Sequence, residues 1–179
     1  SSPDMQERLI GLFVNALKDM TFVEREPEQR ETMKLSERAP FVWTKLVYPA
    51  DRTIFNYVAC DNDLELNAAK FFDRAEDVRA FASMHEIPFY VEYKDSKGNF
   101  HPGYHPDFIV ETKDSGFLIV ETKGREDVDV RYKDRRMQVW CKDVTKLTEN
   151  KWRFLRIDQE DFERHRFKSI KELVSAFRR

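Results

Sequence analysis

The chain has 179 residues, 31 Lys and Arg, 33 Asp and Glu, and a formal net charge of -2. This length gives about one domain, and a hydrophobic content of 41% with 15 Phe is enough to fill a core, which excludes wholesale disorder. The longest apolar run, 117–120, is far short of the roughly 20 residues that a membrane span needs. The sequence also lacks a G-x-x-x-x-G-K-[ST] phosphate-binding loop, which excludes an ATP-driven motor within these residues.

The first residues and the cysteines bear on where the protein resides. Because the chain starts at Ser1 and not at Met, we expect it to be a piece of a longer polypeptide. Its start has no basic head and no apolar stretch, so it is not a secretory signal. Cys60 and Cys141 lack the C-x-x-C spacing of a zinc site, and we expect two buried free thiols in a reducing compartment.

The charges are unevenly distributed along the chain. Residues 1–122 carry 14 basic and 22 acidic side chains, whereas residues 123–179 carry 17 basic and 11 acidic ones. A basic C-terminal third can bind phosphates although the whole chain is faintly acidic. A merely solvated surface would give the same distribution, and charge alone favours that reading.

The hydrophobic pattern predicts an α/β domain. The predicted elements in chain order are a helix over 3–20, a charged connector over 24–38, strands over 41–48 and 53–59, helices over 61–74 and 77–84, strands over 88–93, 104–112 and 117–123, a helix over 130–148, a strand over 152–157, a short helix over 159–165 and a last helix capped by Ser169. The central order is therefore α-β-β-β-α-β. Asp61, Asn62 and Asp63 offer caps for the helix over 61–74, and for Asp61 and Asp63 a capping role is favoured over a role in a metal site.

A short repeat predicts a hairpin. The pentapeptide Ile-Val-Glu-Thr-Lys occurs at 109–113 and again at 119–123. A three-residue loop between the copies, with Gly116 in the left-handed position, would pair residue 113 with residue 117. Asp107 then lies opposite Lys123, and Glu121 emerges on the same face. A two-residue loop would shift the register by one and separate Asp107 from the other two side chains.

Two carboxylates that converge at strand ends indicate a cation site. Like charges close together are costly unless something neutralises them, and carboxylate oxygens are the ligands that Mg²⁺ prefers. Lys123 can then orient a water or neutralise phosphate oxygens. Asp107, Glu121 and Lys123 therefore form a candidate hydrolytic centre for a phosphodiester. Each residue taken singly could instead be an ordinary residue of an exposed strand. Glu111 and Lys113 hold the corresponding places in the first copy, and we interpret both as structural or exposed, with Glu111 a minor candidate.

The motifs resemble a known family. Pro106-Asp107, followed after 13 residues by Glu121-Thr122-Lys123, resembles the PD-(D/E)xK nuclease signature. Residues 55–61, Glu65, 104–110 and 119–127 are similar to the C-terminal nuclease region of type III restriction enzyme Res-subunit-like proteins, and the resemblance covers about 41–165. It implies a restriction-endonuclease-like core, with a four-stranded mixed sheet flanked by helices, over 51–165. An N-terminal helix and connector would occupy 1–50, and a C-terminal helix 166–179.

The resemblance also implies roles for matching positions. Asp107, Glu121 and the Thr122 carbonyl would hold Mg²⁺, or Mn²⁺ as a substitute, and Lys123 would serve the attacking water. Glu65, which could equally be an ordinary helix residue, would support the metal through a water. The candidates for contact with DNA lie on the helix after the third strand and are Lys133, Arg135, Arg136 and Gln138.

The implied activity is metal-dependent cleavage of double-stranded DNA, in the prokaryotic cytoplasm and without a membrane. The implied partners are a helicase motor on the same polypeptide and a methyltransferase or specificity subunit. Two alternatives stay open, namely a DNA-binding module of the same fold that no longer cuts and a protein-interaction domain attached to a motor. Binding to DNA without metal-dependent cleavage would select the first, and binding to a helicase without affinity for DNA would select the second.

Overall fold

The computed structural model describes residues 26–28, 32–123 and 129–177, so the helix predicted over 3–20 lies outside the described residues. The described strands are β1 Leu46–Tyr48, β2 Val58–Cys60, β3 Val78–Ser83, β4 Val91–Lys94, β5 Phe100–Tyr104, β6 Phe108–Thr112, β7 Gly116–Lys123 and β8 Lys151–Asp158. The described helices are α1 Asp63–Arg74, α2 Val130–Thr148, α3 Gln159–Arg164 and α4 Ile170–Ala176, besides a 3₁₀ turn at Leu35–Glu37 within the predicted connector. Each of these helices is too short or too polar to cross a membrane.

The protein has a mixed α/β fold around a four-stranded sheet, as predicted. The strand order is β3-β6-β7-β8, with β7 and β8 parallel and the other neighbours antiparallel. One face of the sheet packs on α1 and α4 through Phe72, Val120 and Leu173. The other face packs on α2, where Ile119 contacts Met137 in a second apolar cluster. Helices therefore cover both faces, and the strand ends are left to carry polar side chains.

Strand β3 corrects the helix predicted over 77–84. Val78 and Phe81 are three residues apart, which is a helical spacing, and both are buried in the cluster on the α1 side. A bulge between Val78 and Ala80 interrupts the regular alternation of β3 as it pairs with β6. An extra residue in a bulge places positions three apart on the same face, so the strand imitates the helical pattern.

The strand predicted over 88–93 is not the first strand of the main sheet. Its last residues form β4, which pairs with β5 in a separate two-stranded sheet that packs on α2. The strand predicted over 104–112 is likewise two strands, because β5 ends at Tyr104 and β6 begins at Phe108. Pro106 lies in this break, and proline has no N–H to donate to a ladder. Within the main sheet and the helices beside it, the order is α1, β3, β6, β7, α2 and β8, which has the predicted pattern α-β-β-β-α-β, with β3 in place of a predicted helix and β4 and β5 inserted before β6.

The hairpin between β6 and β7 differs from the predicted register by two residues. Glu111 pairs with Phe117 and Phe108 with Val120, so the loop is Lys113–Ser115. Ser115, not Gly116, takes the left-handed conformation, with φ 61°. Gly116 begins β7, where an added Cβ would lie 3.1 Å from the Thr112 hydroxyl. A shift of two residues keeps every side chain on its predicted face, because side chains alternate with period two.

The other helix predictions hold closely. Helix α2 has the predicted bounds and buries Met137 and Cys141, but Leu147, predicted to be buried, is 40% exposed near its end. Ser169 caps α4 by accepting a hydrogen bond from the Glu172 N–H. Both cysteines are free and buried.

Candidate metal centre

Asp107 lies in the break before β6, at the end of a central strand of the main sheet. Its carbonyl accepts from the Met84 N–H and its own N–H donates to the Val120 carbonyl, which fixes its backbone. The carboxylate Oδ2 accepts from the Thr122 N–H at 2.6 Å and from the Thr122 hydroxyl at 2.7 Å. Burial raises the pKa of Asp107 above its ordinary value although these two bonds oppose the rise. The charge of Glu65 adds to the increase.

Glu121 lies on β7 directly across from Asp107 when the register of β6 and β7 is continued by one pair. Its side chain faces α2, two positions after Ile119, and only 8% of the residue is exposed. Burial and then the charge of Asp107 raise the pKa of Glu121 to about 8. Glu121 Oε2 is buried and has no hydrogen-bond partner among the described residues. A buried carboxylate with an unpartnered oxygen beside a second carboxylate is suited to a cation.

Lys123 and Thr122 complete the motif at the end of β7. Lys123 is half-buried and shares the face of Glu121, whose pKa its charge lowers. In the parallel register Lys123 pairs with Asp158. Thr122 faces the opposite way and uses its N–H and hydroxyl to hold Asp107 in place. The structure therefore shows Thr122 as an anchor for Asp107, and the ligand role of its carbonyl stays a prediction.

Glu65 is part of a capping interaction at the start of α1. Asn62, one of the three candidate caps in the sequence, caps the helix by accepting from the Glu65 N–H at 3.0 Å, whereas the preference for Asp61 and Asp63 as the caps is wrong. The Glu65 carboxylate accepts from Asp61 N–H at 2.7 Å and from the Asn62 side-chain amide at 2.6 Å. Such a reciprocal arrangement satisfies two free donors of the helix start.

His85 also contacts the Glu65 carboxylate. Its Nε2 lies 3.2 Å from Glu65 Oε2, and its ring stacks on Trp43 at a centroid distance of 4.5 Å. Burial alone would lower the pKa of His85, but the hydrogen bond and charge of Glu65 and the charges of Asp61 and Asp107 raise it overall. An imidazolium between these acids helps to balance their charge.

Asp61, Glu65 and His85 place one ligand atom each within 4.8 Å of one another. The group is nevertheless paired within the protein. Asp61 Oδ1 binds the Lys45 ammonium at 2.7 Å, and both Glu65 oxygens accept hydrogen bonds. Because these acceptors already have donors, this cluster supports Asp107 electrostatically and is a weaker cation site than the pair of Asp107 and Glu121.

Arg156 and Tyr104 lie on the α2 side of Glu121. Arg156 is the register partner of Glu121 on β8, and it donates through Nε and Nη2 to the two carboxylate oxygens of Asp134 on α2. Tyr104 ends β5 and is 5% exposed. Burial and then the charge of Glu121 raise the pKa of Tyr104 above its ordinary range, so the hydroxyl remains protonated. Tyr104 Oη and Arg156 Nη1 are buried without hydrogen-bond partners in the described structure.

The candidate DNA contacts occupy the first half of α2. Arg135 and Gln138 are exposed, whereas Lys133 and Arg136 are partly buried. The Lys133 ammonium lies 5.5 Å from the centre of the Tyr93 ring, so its chain packs on the sheet formed by β4 and β5. These positions flank Asp134, whose pairing with Arg156 connects this part of α2 to the strand beside Glu121.

The sequence motif located Asp107, Glu121 and Lys123 but missed four nearby residues, which are His85, Tyr104, Asp134 and Arg156. They are distant along the chain and come from three different strand ends and a helix, so no local spacing identifies them. Only the tertiary structure brings their polar atoms to the carboxylates.

The residues present fit a divalent cation, because two carboxylates influence each other at the ends of central strands and one buried oxygen has no hydrogen-bond partner in the described structure. A hydrogen-bonded second shell around carboxylate ligands, here Thr122 on Asp107, is typical of metal sites. No family model, curated protein or solved structure matches this chain.

Proposed function

We propose that this protein is a metal-dependent endonuclease that hydrolyses phosphodiester bonds in double-stranded DNA. The observation that carries the proposal is that Asp107 and Glu121 converge at the ends of the central strands β6 and β7, with Lys123 on the face of Glu121. Mg²⁺, with Mn²⁺ as a substitute, would supply a more acidic water and neutralise charge on the phosphate. Asp107 and Glu121 hold the cation, together with the Thr122 carbonyl.

The other residues of the site orient the reactants. Lys123 positions the attacking water or neutralises the equatorial phosphate oxygens. Water attacks phosphorus in line and gives up a proton to solvent, the new oxygen–phosphorus bond forms as the bond to the 3′ oxygen breaks, and the leaving 3′ oxygen takes a proton from solvent. Thr122 keeps Asp107 in the required orientation through two hydrogen bonds. Glu65 influences the cation only indirectly, through a water or through His85, because both of its carboxylate oxygens already accept hydrogen bonds.

The proposed context is a helicase-nuclease of a restriction or defence system in the cytoplasm. The chain would be the cleavage module, with the motor elsewhere on the same polypeptide and sequence choice supplied by a methyltransferase or specificity subunit. Lys133, Arg135, Arg136 and Gln138 would contact the DNA backbone. The excess of basic over acidic side chains in residues 123–179 supports DNA contacts in this part of the chain.

Plasmid cleavage with Mg²⁺ and with chelator tests the proposal, and the duplicated pentapeptide provides matched controls. We expect Asp107→Asn, Glu121→Gln and Lys123→Ala each to lower the cleavage rate by at least about a hundredfold, because each removes charge stabilisation at the reacting phosphate. Glu111→Gln alters the same residue in the first copy, where Glu111 pairs with Arg79 at 3.3 Å. That variant should cut at the wild-type rate.

Two results would contradict the proposal. Cleavage that persists in chelator would exclude the metal, and equal rates for wild type and Lys123→Ala would exclude the role of Lys123. Binding to duplex DNA that depends on salt, without any cleavage, would instead select an inactive DNA-binding domain. Binding to a helicase with no affinity for DNA would select the protein-interaction alternative.

A further inference from the structure

The α2 side of Glu121 contains a concentration of unpaired polar atoms. Five buried side-chain polar atoms lack a hydrogen-bond partner among the described residues. Three of these five belong to Glu121, Tyr104 and Arg156, which influence one another electrostatically. Buried polar atoms without partners are costly, so three of them in one place require an explanation.

The chemistry of the three atoms is complementary. Tyr104 Oη and Arg156 Nη1 are hydrogen-bond donors, whereas Glu121 Oε2 is an acceptor only. Arg156 cannot turn away freely, because Asp134 holds its Nε and Nη2 and directs the remaining Nη1 elsewhere. Tyr104 is similarly restrained by its burial among Val91, Ile119 and Met137. Two donors on rigid supports therefore lie beside one carboxylate whose orientation matters.

We propose that Tyr104 and Arg156 are positioning residues for Glu121, orienting its carboxylate toward a divalent cation, with Asp134 holding the guanidinium. This inference rests on the metal site of the proposed function. Ligand carboxylates are commonly held by hydrogen bonds from outside the coordination shell, and loss of such a bond typically costs roughly 10–100-fold in metal affinity or activity. Asp107 has this support from Thr122. The free donors of Tyr104 and Arg156, whose presence lowers the pKa of Glu121, are placed to give Glu121 the same support when a cation orders its carboxylate.

Two variants that conserve charge test the role. Tyr104→Phe removes one hydroxyl and leaves the ring in its apolar cluster. Arg156→Lys keeps the positive charge but loses the planar fork that binds Asp134. Because neither variant changes the net charge beside the cation, a change in affinity reports orientation and not simple attraction. We expect each to weaken Mn²⁺ binding to the full chain about tenfold, measured by electron paramagnetic resonance of free Mn²⁺.

Matched controls separate positioning from loss of structure. Tyr93→Phe alters a buried tyrosine of the same cluster, and Arg153→Lys alters an arginine of the same strand on its other face. Both should bind Mn²⁺ like the wild type. Thermal unfolding in chelator should show similar melting temperatures for Tyr104→Phe and Tyr93→Phe. If the role of Tyr104 were merely structural, Tyr104→Phe would lower the melting temperature and leave the Mn²⁺ affinity unchanged.

The outcomes distinguish this inference from the proposed function. Wild-type Mn²⁺ affinity in both test variants, with binding lost in Glu121→Gln, overturns the positioning role and leaves the metal site standing. Mn²⁺ binding that survives Glu121→Gln overturns both. A protein whose Mn²⁺ affinity responds as expected, but which leaves plasmid uncut, contradicts the nuclease proposal and still supports the positioning role.

Discussion

The two flanks of Asp107 differ in how completely their polar atoms are paired. On the α1 flank, the Glu65 carboxylate accepts from Asp61 and Asn62 and pairs with His85. On the α2 flank, Glu121, Tyr104 and Arg156 each keep a buried atom without a partner. Both flanks contain buried acids, so burial alone does not separate a structural acid from a functional one.

The difference between the two flanks shows which buried carboxylate stabilises the fold and which one destabilises it. A carboxylate that caps a helix stabilises the fold, since it satisfies donors that would otherwise be free. A carboxylate that is buried beside another acid and lacks a donor destabilises the fold until a cation arrives. The α1 flank therefore resembles ordinary structure, whereas the α2 flank carries strain that a binding function would explain.

The largest expected effect comes from Glu121→Gln. The ordinary pKa of Glu121 is 4.5, and in the folded protein it is about 8, so the folded state holds the proton more tightly than the unfolded state. The contribution of Glu121 to stability without metal is therefore largest below pH 4.5 and falls as the pH rises to about 8, by about 1.4 kcal/mol for each unit. A neutral Gln removes this fall, so the variant should be more stable than the wild type at pH 8 although it no longer binds Mn²⁺.

Chemical unfolding in chelator at several pH values measures this difference. The advantage of the variant should shrink toward pH 4.5, where Glu121 is protonated in both states. Glu111→Gln is the control, because Glu111 is partly exposed and paired with Arg79. A variant that is less stable than the wild type throughout this range would show that Glu121 is a structural acid like Glu65, and the comparison of the two flanks would fail.

On the other flank, Glu65→Ala should reduce stability more than function. The substitution leaves the Asp61 N–H, the Asn62 amide and His85 without their shared acceptor, and we expect a loss of about 2 kcal/mol in the free energy of unfolding. Mn²⁺ affinity should fall less than in Glu121→Gln. The reverse order of the two affinities, measured by the same titration, would make Glu65 a direct ligand.

The sequence predicted the layers of the fold better than their details. Helical patterns identified α1 and α2, because each buries one stripe. The repeated pentapeptide indicated β7, which is buried on both faces. Strand β3 was mistaken for a helix because its bulge places Val78 and Phe81 on one face, an effect that only pairing with β6 reveals. The hairpin register was wrong by two residues, and because an even shift preserves alternation, the side chains within β6 and β7 stay on their predicted faces. Asp107 lies before β6, and its carboxylate is bound by Thr122, which faces away from Glu121.

For the site as well, the sequence identified residues within one motif and missed contacts between residues that are distant along the chain. A motif of adjacent residues found Asp107, Glu121 and Lys123. It could not find the pair of Asp134 and Arg156, because these residues are 22 positions apart in sequence and no spacing rule predicts their contact. The part of Glu65 in the site stays a prediction, and its capping role, which depends on Asn62 and on the backbone conformation at the helix start, was not predicted.

A smaller effect is expected from Thr122→Val at the junction of the two flanks. The variant removes the hydroxyl that donates to Asp107 Oδ2 at 2.7 Å and keeps the backbone N–H that donates at 2.6 Å. We expect a loss of about 1 kcal/mol in stability, together with several-fold weaker Mn²⁺ binding as Asp107 gains freedom. Thr148→Val is the control, because it also removes a hydrogen-bonded hydroxyl, which donates to the Val144 carbonyl and accepts from the Trp152 indole N–H at the last turn of α2. It should lower stability by a similar amount and leave Mn²⁺ affinity unchanged. An unchanged Mn²⁺ affinity would show that the backbone bond alone orients Asp107.

The smallest expected effect concerns the exposed surface of the α2 flank. Arg135 is exposed next to Asp134, and a phosphate contact there would make Arg135→Gln weaken duplex binding uniformly across sequences and reduce the salt slope by about one. Arg164→Gln is the matched control, because Arg164 is an exposed helical arginine that pairs with Glu160 at 3.1 Å. Fluorescence anisotropy at several salt concentrations compares the two. Equal slopes for both variants would place the DNA elsewhere, and the unpaired flank would then serve the cation alone.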